Sequence, residues 1–185
     1  MIRSLFIAVG TICFSILISV SSAFSKVEGD TIILGSSISL TGKYATNGLH
    51  TQRGYDYAVD VINSKGGVKV GGKSYKLDVK YYDDESTPAR GAQLIERLIQ
   101  QDGIQFTLGP YSSGMTKAIA PVVEKFKVPM IEAEGASRSL FTQGYKYLFA
   151  VLSTSEQYLS TAVHMAAEQR KQSGKSPSTV KVALA

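Results

Sequence analysis

A chain of 185 residues with 44% hydrophobic and 19% charged residues has the make-up of one folded domain or slightly more, and excludes a disordered segment. The formal charge of +5 comes from scattered Lys and Arg. It lacks the basic clusters interleaved with aromatics that nucleic-acid binders carry, so no nucleic-acid partner is expected.

Arg3 is followed by a mostly apolar run, Leu5 to Val20, and then by Ser21-Ser22-Ala23-Phe24-Ser25. Ala23 and Ser25 stand where small residues precede a cleavage site, so residues 1–25 read as a secretory signal peptide. An uncleaved membrane anchor is the alternative, because the apolar run is slightly long. Cys13 lies inside that run, and no other cysteine follows it. The expected location is therefore the periplasm, in a domain that needs no disulfide.

Strand-like and helix-like segments then alternate. Thr31 to Leu40 is β-branched and apolar, a first strand, and 41–48 is a Gly- and Asn-containing loop. A helix follows to Ser64 with Ala58, Val61 and Ile62 inward, closed by Gly66-Gly67. Residues 68–75 form a small hairpin on Gly71-Gly72, and 75–82 a second strand. Asp83-Asp84-Glu85 supplies favourable charge ahead of a helix with Thr87 as N-cap and Pro88 at the first position. Leu94, Ile95, Leu98 and Ile99 form its inner face.

Ile104 to Leu108 is a third strand. It runs through Gly109-Pro110-Tyr111-Ser112-Ser113-Gly114 into a helix on which Met115, Ile119, Val122, Val123 and Phe126 share a face. Val128–Ala133 is a fourth strand, 145–152 a fifth, 155–172 a helix, and 180–185 the start of another strand. That ending on an apolar strand leads us to expect an incomplete fold. The alternation predicts an α/β doubly wound parallel sheet, with ligand contacts from loops 41–48, 109–114 and 132–138 at the carboxyl ends of the strands.

Ser112 and Ser113 open a helix, whose free N–H groups and partial positive charge hold carboxylates well. Either serine is equally suited to plain N-capping. Tyr44 and Tyr111 offer flat walls for a small organic ligand, or pack on a neighbouring loop. Glu134 pairs with a ligand ammonium if it points inward, and is a solvated acid if it points out. No enzyme motif is present. Gly-x-Ser-x-Gly is missing, since Pro110 precedes Tyr111, and His50 and His164 are the only histidines. No metal-ligand spacing occurs, and no nucleotide-binding glycine pattern follows a strand, so neither metal nor cofactor is expected.

The runs Ser39-Leu40-Thr41-Gly42, Gly48, Gly54, Asn63, Gly66-Gly67, Tyr82-Asp83-Asp84, Pro88, Gly109-Pro110-Tyr111-Ser112-Ser113 and Val128-Pro129-Met130 together resemble the leucine/isoleucine/valine-binding-protein type of periplasmic solute receptor. The likeness covers residues 30–185. It implies the N-terminal lobe of a two-lobe periplasmic-binding-protein type I fold, apparently truncated. Residues 26–150 would then form the first lobe, and 151–185 the crossover and start of the second.

It further implies an extracytoplasmic binder of an amino acid, branched-chain type, or a related small carboxylate, feeding an inner-membrane ABC permease. A sensing receptor domain for amides, urea or aromatic acids is the alternative within the fold, and a serine hydrolase is the remotest reading. By the same resemblance Ser113 holds the ligand carboxylate and the Glu134 carbonyl receives its ammonium. Ala136 offers its N–H to the carboxylate but lacks the threonine hydroxyl common there, for which Ser137 or the Glu134 carboxylate could substitute. Asn47 stands where the family often places an aromatic wall.

Overall fold

The computed structural model describes residues 26–179 and 181. The expected signal peptide and all but Lys181 of the last expected strand lie outside these residues. The elements are β1 (Val27–Glu28), β2 (Thr31–Ile38), α1 (Ala45–Ser64), β3 (Val68–Val70), β4 (Lys73–Asp83), α2 (Pro88–Gln100), β5 (Thr107–Leu108), α3 (Ser113–Phe126), β6 (Met130–Glu132), β7 (Leu148–Ala150) and α4 (Ser155–Gln172). Short 3-10 turns occupy Arg138–Leu140 and Pro177–Thr179.

The strands lie in the order β3-β4-β2-β5-β6-β7, with β1 antiparallel against β2. β4, β2, β5, β6 and β7 run parallel, and β3 pairs β4 through the expected hairpin. Gly71 and Gly72 both adopt positive φ, which a two-residue turn between right-twisted strands requires. The chain winds from β2 outward to β4 and then back across to β5. Right-handed crossovers therefore put α1 on one face of the sheet and α2 with α3 on the other.

The core sits between the sheet and the α2–α3 pair, where Ile33, Ile95, Leu98, Ile104, Ile119, Val123 and Met130 are buried together. Gly35 faces the same layer. A methyl group there would come 2.8 Å from the Ile104 side chain, so the glycine lets the helix layer seat closely. On the opposite face, Ile131 and Phe149 are paired in register and remain 45% and 52% exposed.

Several sequence expectations change. The expected strands 104–108, 128–133 and 145–152 shorten to Thr107–Leu108, Met130–Glu132 and Leu148–Ala150. α1 begins at Ala45, so 45–48 is helix rather than loop, and Gly48 is packed against Ser39. Ala58 is exposed, because the inward stripe of α1 runs through Gly48, Thr51, Tyr55, Val59 and Ile62. Thr87 occupies the N-cap position of α2 but makes no side-chain cap; its hydroxyl turns back to the Glu85 carbonyl at 3.3 Å.

Asp83 and Asp84 do more than charge a helix start. Asp83 accepts from the N–H groups of Leu40 and Thr41 and from the Thr41 hydroxyl, while Asp84 accepts from the Ser39 hydroxyl at 2.6 Å. The two acids tie the loop after β2 to the loop after β4. Ionised oxygens accept such bonds more strongly than neutral ones, which suits them to that task.

Candidate functional site

The carboxyl ends of β2, β5 and β6 converge on one corner. The loop after β5 enters α3 through Ser112, whose φ of 80° is an uncommon value for a residue with a side chain. Ser112 is the N-cap: its Oγ accepts from the Met115 N–H at 3.3 Å. Its carbonyl accepts both the N–H and the hydroxyl of Thr116, at 3.1 and 2.9 Å. Ser112 is thus occupied in building the turn.

Ser113, the next residue, is free for other work. Its Oγ accepts from the Ser137 N–H at 3.1 Å, joining the loop after β5 to the loop after β6. A hydroxyl has one proton and two acceptor sites, so this contact leaves the Ser113 proton to donate to a ligand oxygen. The N–H groups of Ser113 and Gly114 lie ahead of the intrahelical ladder and carry the positive end of the α3 dipole. The corner therefore offers a hydroxyl, backbone donors and a favourable field to an anion. Among the described residues neither histidine hydrogen-bonds Ser113, whose hydroxyl meets the Ser137 N–H instead.

Two tyrosines wall this corner. Tyr44 ends the loop after β2, and Tyr111 lies on the loop after β5; their ring centres stand 5.6 Å apart, edge to face at 60°. Such pairs favour association by about 0.5–1.5 kcal/mol beyond the area they bury. The two rings thus pack on each other across neighbouring loops, while Asn47 is exposed on α1.

The loop after β6 carries Glu134, Ala136 and Ser137. Glu134 is half-buried, and its Oε1 lies 3.4 Å from the Thr51 hydroxyl of α1, which also donates to the Asn47 carbonyl at 3.0 Å. One hydroxyl proton serves both, so the Glu134 carboxylate is weakly partnered. Among the described residues it forms no ion pair with Lys or Arg. The Ala136 carbonyl accepts from the Ser155 N–H at 2.9 Å, which couples the loop to the start of α4. The Ser137 hydroxyl pairs with that of Ser139 at 2.9 Å.

Behind these residues lie groups that the sequence did not single out for a role. Glu132, fully buried, accepts from the N–H groups of Glu134 and Gly135 through Oε1 and meets the Thr116 hydroxyl at 2.7 Å through Oε2. Burial pushes its carboxyl above the ordinary glutamic acid value; these hydrogen bonds oppose the shift, and Glu134 adds to it. Tyr55 of α1 donates to the Gly109 carbonyl at 2.9 Å, and burial followed by the Glu132 and Glu134 charges raises its phenol well above the usual value. The available signal was a stripe on α1 that reads Gly, Thr, Tyr, Val, Ile, too polar to stand out as an inward face.

Two hollows lie elsewhere. One of about 370 Å³ is lined by Ile104, Phe106, Phe126 and Pro129, at the far end of the strands. One of about 550 Å³ lies beside α4, against Gln169, Arg170 and Thr179. Neither includes Ser113, and among the described residues the corner is where backbone anion donors, two tyrosine rings and a weakly partnered acid meet.

Loops gathered at the carboxyl ends of a parallel sheet are where doubly wound α/β folds of many functions bind ligands. The chain belongs to the periplasmic binding protein family, whose model matches residues 31–183. Leu/Ile/Val-binding protein homolog 3 of Brucella melitensis is 27% identical over 135 residues, which is 73% of this chain and 35% of that protein. Homolog 8 of Brucella suis is 30% identical over 145 residues, 78% of this chain and 34% of that protein. The chain therefore spans about a third of the length of these relatives.

Among solved structures, it is similar to the branched-chain amino acid transporter substrate binding protein of Streptococcus pneumoniae in complex with isoleucine. That match has a TM-score of 0.61 and 30% identity, covering 72% of this chain and 39% of that one. A solute binding protein of an ABC transporter from Rhodopseudomonas palustris, in complex with 3,4-dihydroxybenzoic acid, matches with a TM-score of 0.62 and 27% identity. It covers 76% of this chain and 37% of that one.

Proposed function

We propose that the chain acts as the ligand-gripping lobe of an extracytoplasmic, periplasmic solute-binding component of an ABC importer. In this reading residues 26–150 form the first lobe and 151–185 lead to a second, and an inner-membrane permease receives the ligand. The solute is an amino acid of branched-chain type or a related small carboxylate. One observation carries the reading: Ser113 stands at the N-terminus of α3 with its acceptor side engaged by Ser137 and its proton free. The ligand carboxylate would take that proton and the Ser113 and Gly114 N–H groups. The Glu134 carbonyl and carboxylate would take the ammonium, and Tyr44 and Tyr111 would flank the side chain.

The tyrosine pair together with Ala136, which brings no hydroxyl, favours a second reading in which the solute is an aromatic carboxylate. A thermal-shift panel on the full-length protein separates the two, using leucine, isoleucine and valine beside amides, urea and hydroxybenzoates. The amino acids should raise the midpoint most. A shift with hydroxybenzoates alone selects the second reading, and no shift with any of them rejects both. Ser113→Ala should weaken the bound solute by about tenfold, the usual worth of a hydrogen bond to a charged group. Unchanged affinity in calorimetry would remove the role given to that hydroxyl.

A further inference from the structure

Glu132 has a surrounding built around its carboxylate. Gly109 leaves the space beside it: a methyl group there would stand 3.1 Å from the Glu132 Cα and closer still to Oε2. Gly135 does the same from the other loop, where a methyl group would meet Thr116 Oγ1 at 3.0 Å and Glu132 Cδ at 3.1 Å. The carboxylate thus sits between the loop after β5, the first turn of α3 and the loop after β6.

The proton count there is informative. The Thr116 hydroxyl lies 2.7 Å from Glu132 Oε2 and 2.9 Å from the Ser112 carbonyl, and it has a single proton. If Glu132 were ionised, the Thr116 hydroxyl could donate to only one of these oxygens and would face the other at hydrogen-bond distance with no proton between them, although the Ser112 carbonyl would keep the Thr116 N–H. If Glu132 is neutral, its Oε2–H donates to Thr116, Thr116 donates to Ser112, and Oε1 still accepts from Glu134 and Gly135. Every group is then paired. The titratable groups that bear on it agree with this state. Burial and the Glu134 charge on its own loop disfavour an ionised Glu132 and outweigh the hydrogen bonds from Thr116, Glu134 and Gly135 that favour it; Tyr55 on α1, a phenol held neutral, adds no charge, and the end of β5 brings only glycine.

We propose that Glu132 is the positioning residue of the corner: as a neutral acid it donates a hydrogen bond to Thr116, which turns its own proton to the Ser112 carbonyl, while its other oxygen holds the 134–135 amides. It thereby fixes the N-cap of α3 and the loop of Glu134 and Ser137 in one arrangement, with the Ser137 N–H on Ser113. Its importance for ligand rests on the solute-binding reading; its effect on the loops does not.

The test is amide hydrogen exchange on the full-length protein, read as protection of the Glu134, Gly135 and Ser137 N–H groups. Glu132→Gln reproduces the neutral acid, with its amide nitrogen donating to Thr116. It should keep protection within about threefold of the wild type at acid pH, whereas Glu132→Ala should lower it by about tenfold or more. Thr116→Val cuts this chain of hydrogen bonds without removing the acid and should lower protection as well, so the proposal does not depend on the alanine variant folding.

The sign with pH follows from the direction of the shift. A group whose folded-state pKa is raised contributes its stabilisation below the unfolded value and loses it as pH rises through the folded value. Wild-type protection, corrected for intrinsic exchange, should therefore fall as pH rises above the ordinary glutamic acid range, and that of Glu132→Gln should stay flat. Loss of protection in Glu132→Gln, retention in Thr116→Val, or one pH profile for Glu132→Gln and wild type would each overturn the proposal. Leucine affinity measured on the same variants should follow protection. If the wild type binds no member of the solute panel, the functional reading fails while the exchange result still decides the role of Glu132.

Discussion

Gly48→Ala places two physical effects in opposition. Gly48 lies in the first turn of α1, and alanine is favoured over glycine in helices by about 0.8–1.0 kcal/mol. Propensity alone therefore predicts a more stable protein. The structure predicts the reverse, because the added methyl would stand 2.7 Å from the carbonyl carbon of Ser39 and nearer to its oxygen. An unstrained carbon–carbon contact is about 3.5–4.0 Å, so helix and loop would have to separate by about 1 Å. Ser39 cannot yield easily, since its hydroxyl is held by buried Asp84 at 2.6 Å. Overpacking costs about 1–3 kcal/mol, and a contact this close with backbone belongs in the upper half of that range, so after the propensity gain the net effect should be a loss of about 1–2 kcal/mol. Gly54 in the same helix is the internal control, because a methyl group there meets nothing within 4 Å. Urea unfolding followed by helical circular dichroism should show Gly48→Ala destabilised and Gly54→Ala stabilised by up to about 1 kcal/mol. A Gly48→Ala protein as stable as the wild type would refute the close approach of α1 to the β2 loop.

Asn63→Ala should lose about 2 kcal/mol in the same assay, because its side chain donates to the Leu77 carbonyl at 2.9 Å and accepts the Leu77 N–H at 2.8 Å, in the manner of an added strand. Asp102 is predicted to make the protein acid-sensitive. Burial works against its ionisation, but hydrogen bonds from Lys80 (2.6 Å) and Tyr82 (3.0 Å) outweigh it and hold the carboxyl below its ordinary value. Its contribution is present above the ordinary carboxylate range and fades as pH falls through the lowered value, so Asp102→Asn should flatten the acid limb of a stability–pH curve; an unchanged limb counts against the pairing. Phe149→Thr should leave the unfolding midpoint within about 0.5 kcal/mol, since the ring is half exposed and outside the core, and a larger loss would show that something covers it.

The order of strands and helices was legible because period and punctuation agree at each step: α4 matches its expected bounds, and the Gly71-Gly72 hairpin turns where glycine permits. The three loops at the strand ends were legible in place but not in extent: 45–48 belongs to α1, 113–114 to α3 and Glu132 to β6. Less legible was which side chains turn inward. In β6 a sequence reader buries apolar Ile131 and exposes Glu132, yet Ile131 is 45% exposed and Glu132 fully buried. Strand alternation gives two faces but does not say which is covered. Here the α2–α3 layer covers the face bearing Met130 and Glu132, while the face bearing Ile131 stays bare among the described residues.

A buried acid in such a place reverses the usual weighing of the corner. Ser112 and Ser113 are adjacent and chemically identical, and propensity cannot say which one caps. The difference comes from Thr116, which reaches Ser112 by both its N–H and its hydroxyl and touches Glu132 with the same oxygen. That contact commits Ser112 to the turn and leaves Ser113 facing the neighbouring loop. Asp83 and Asp84 act in a parallel way on the β2 loop, which they join to the start of the chain segment leading into α2. The corner is thus held by carboxyl groups set behind it, each accepting several short-range donors from a loop that would otherwise expose them. An acid at the end of a strand or directly after it, followed within three residues by glycine or serine, is the pattern that Glu132-Ala133-Glu134-Gly135 and Asp84-Glu85-Ser86 share. Its physical meaning here is a loop folded back onto the acid by its own amides.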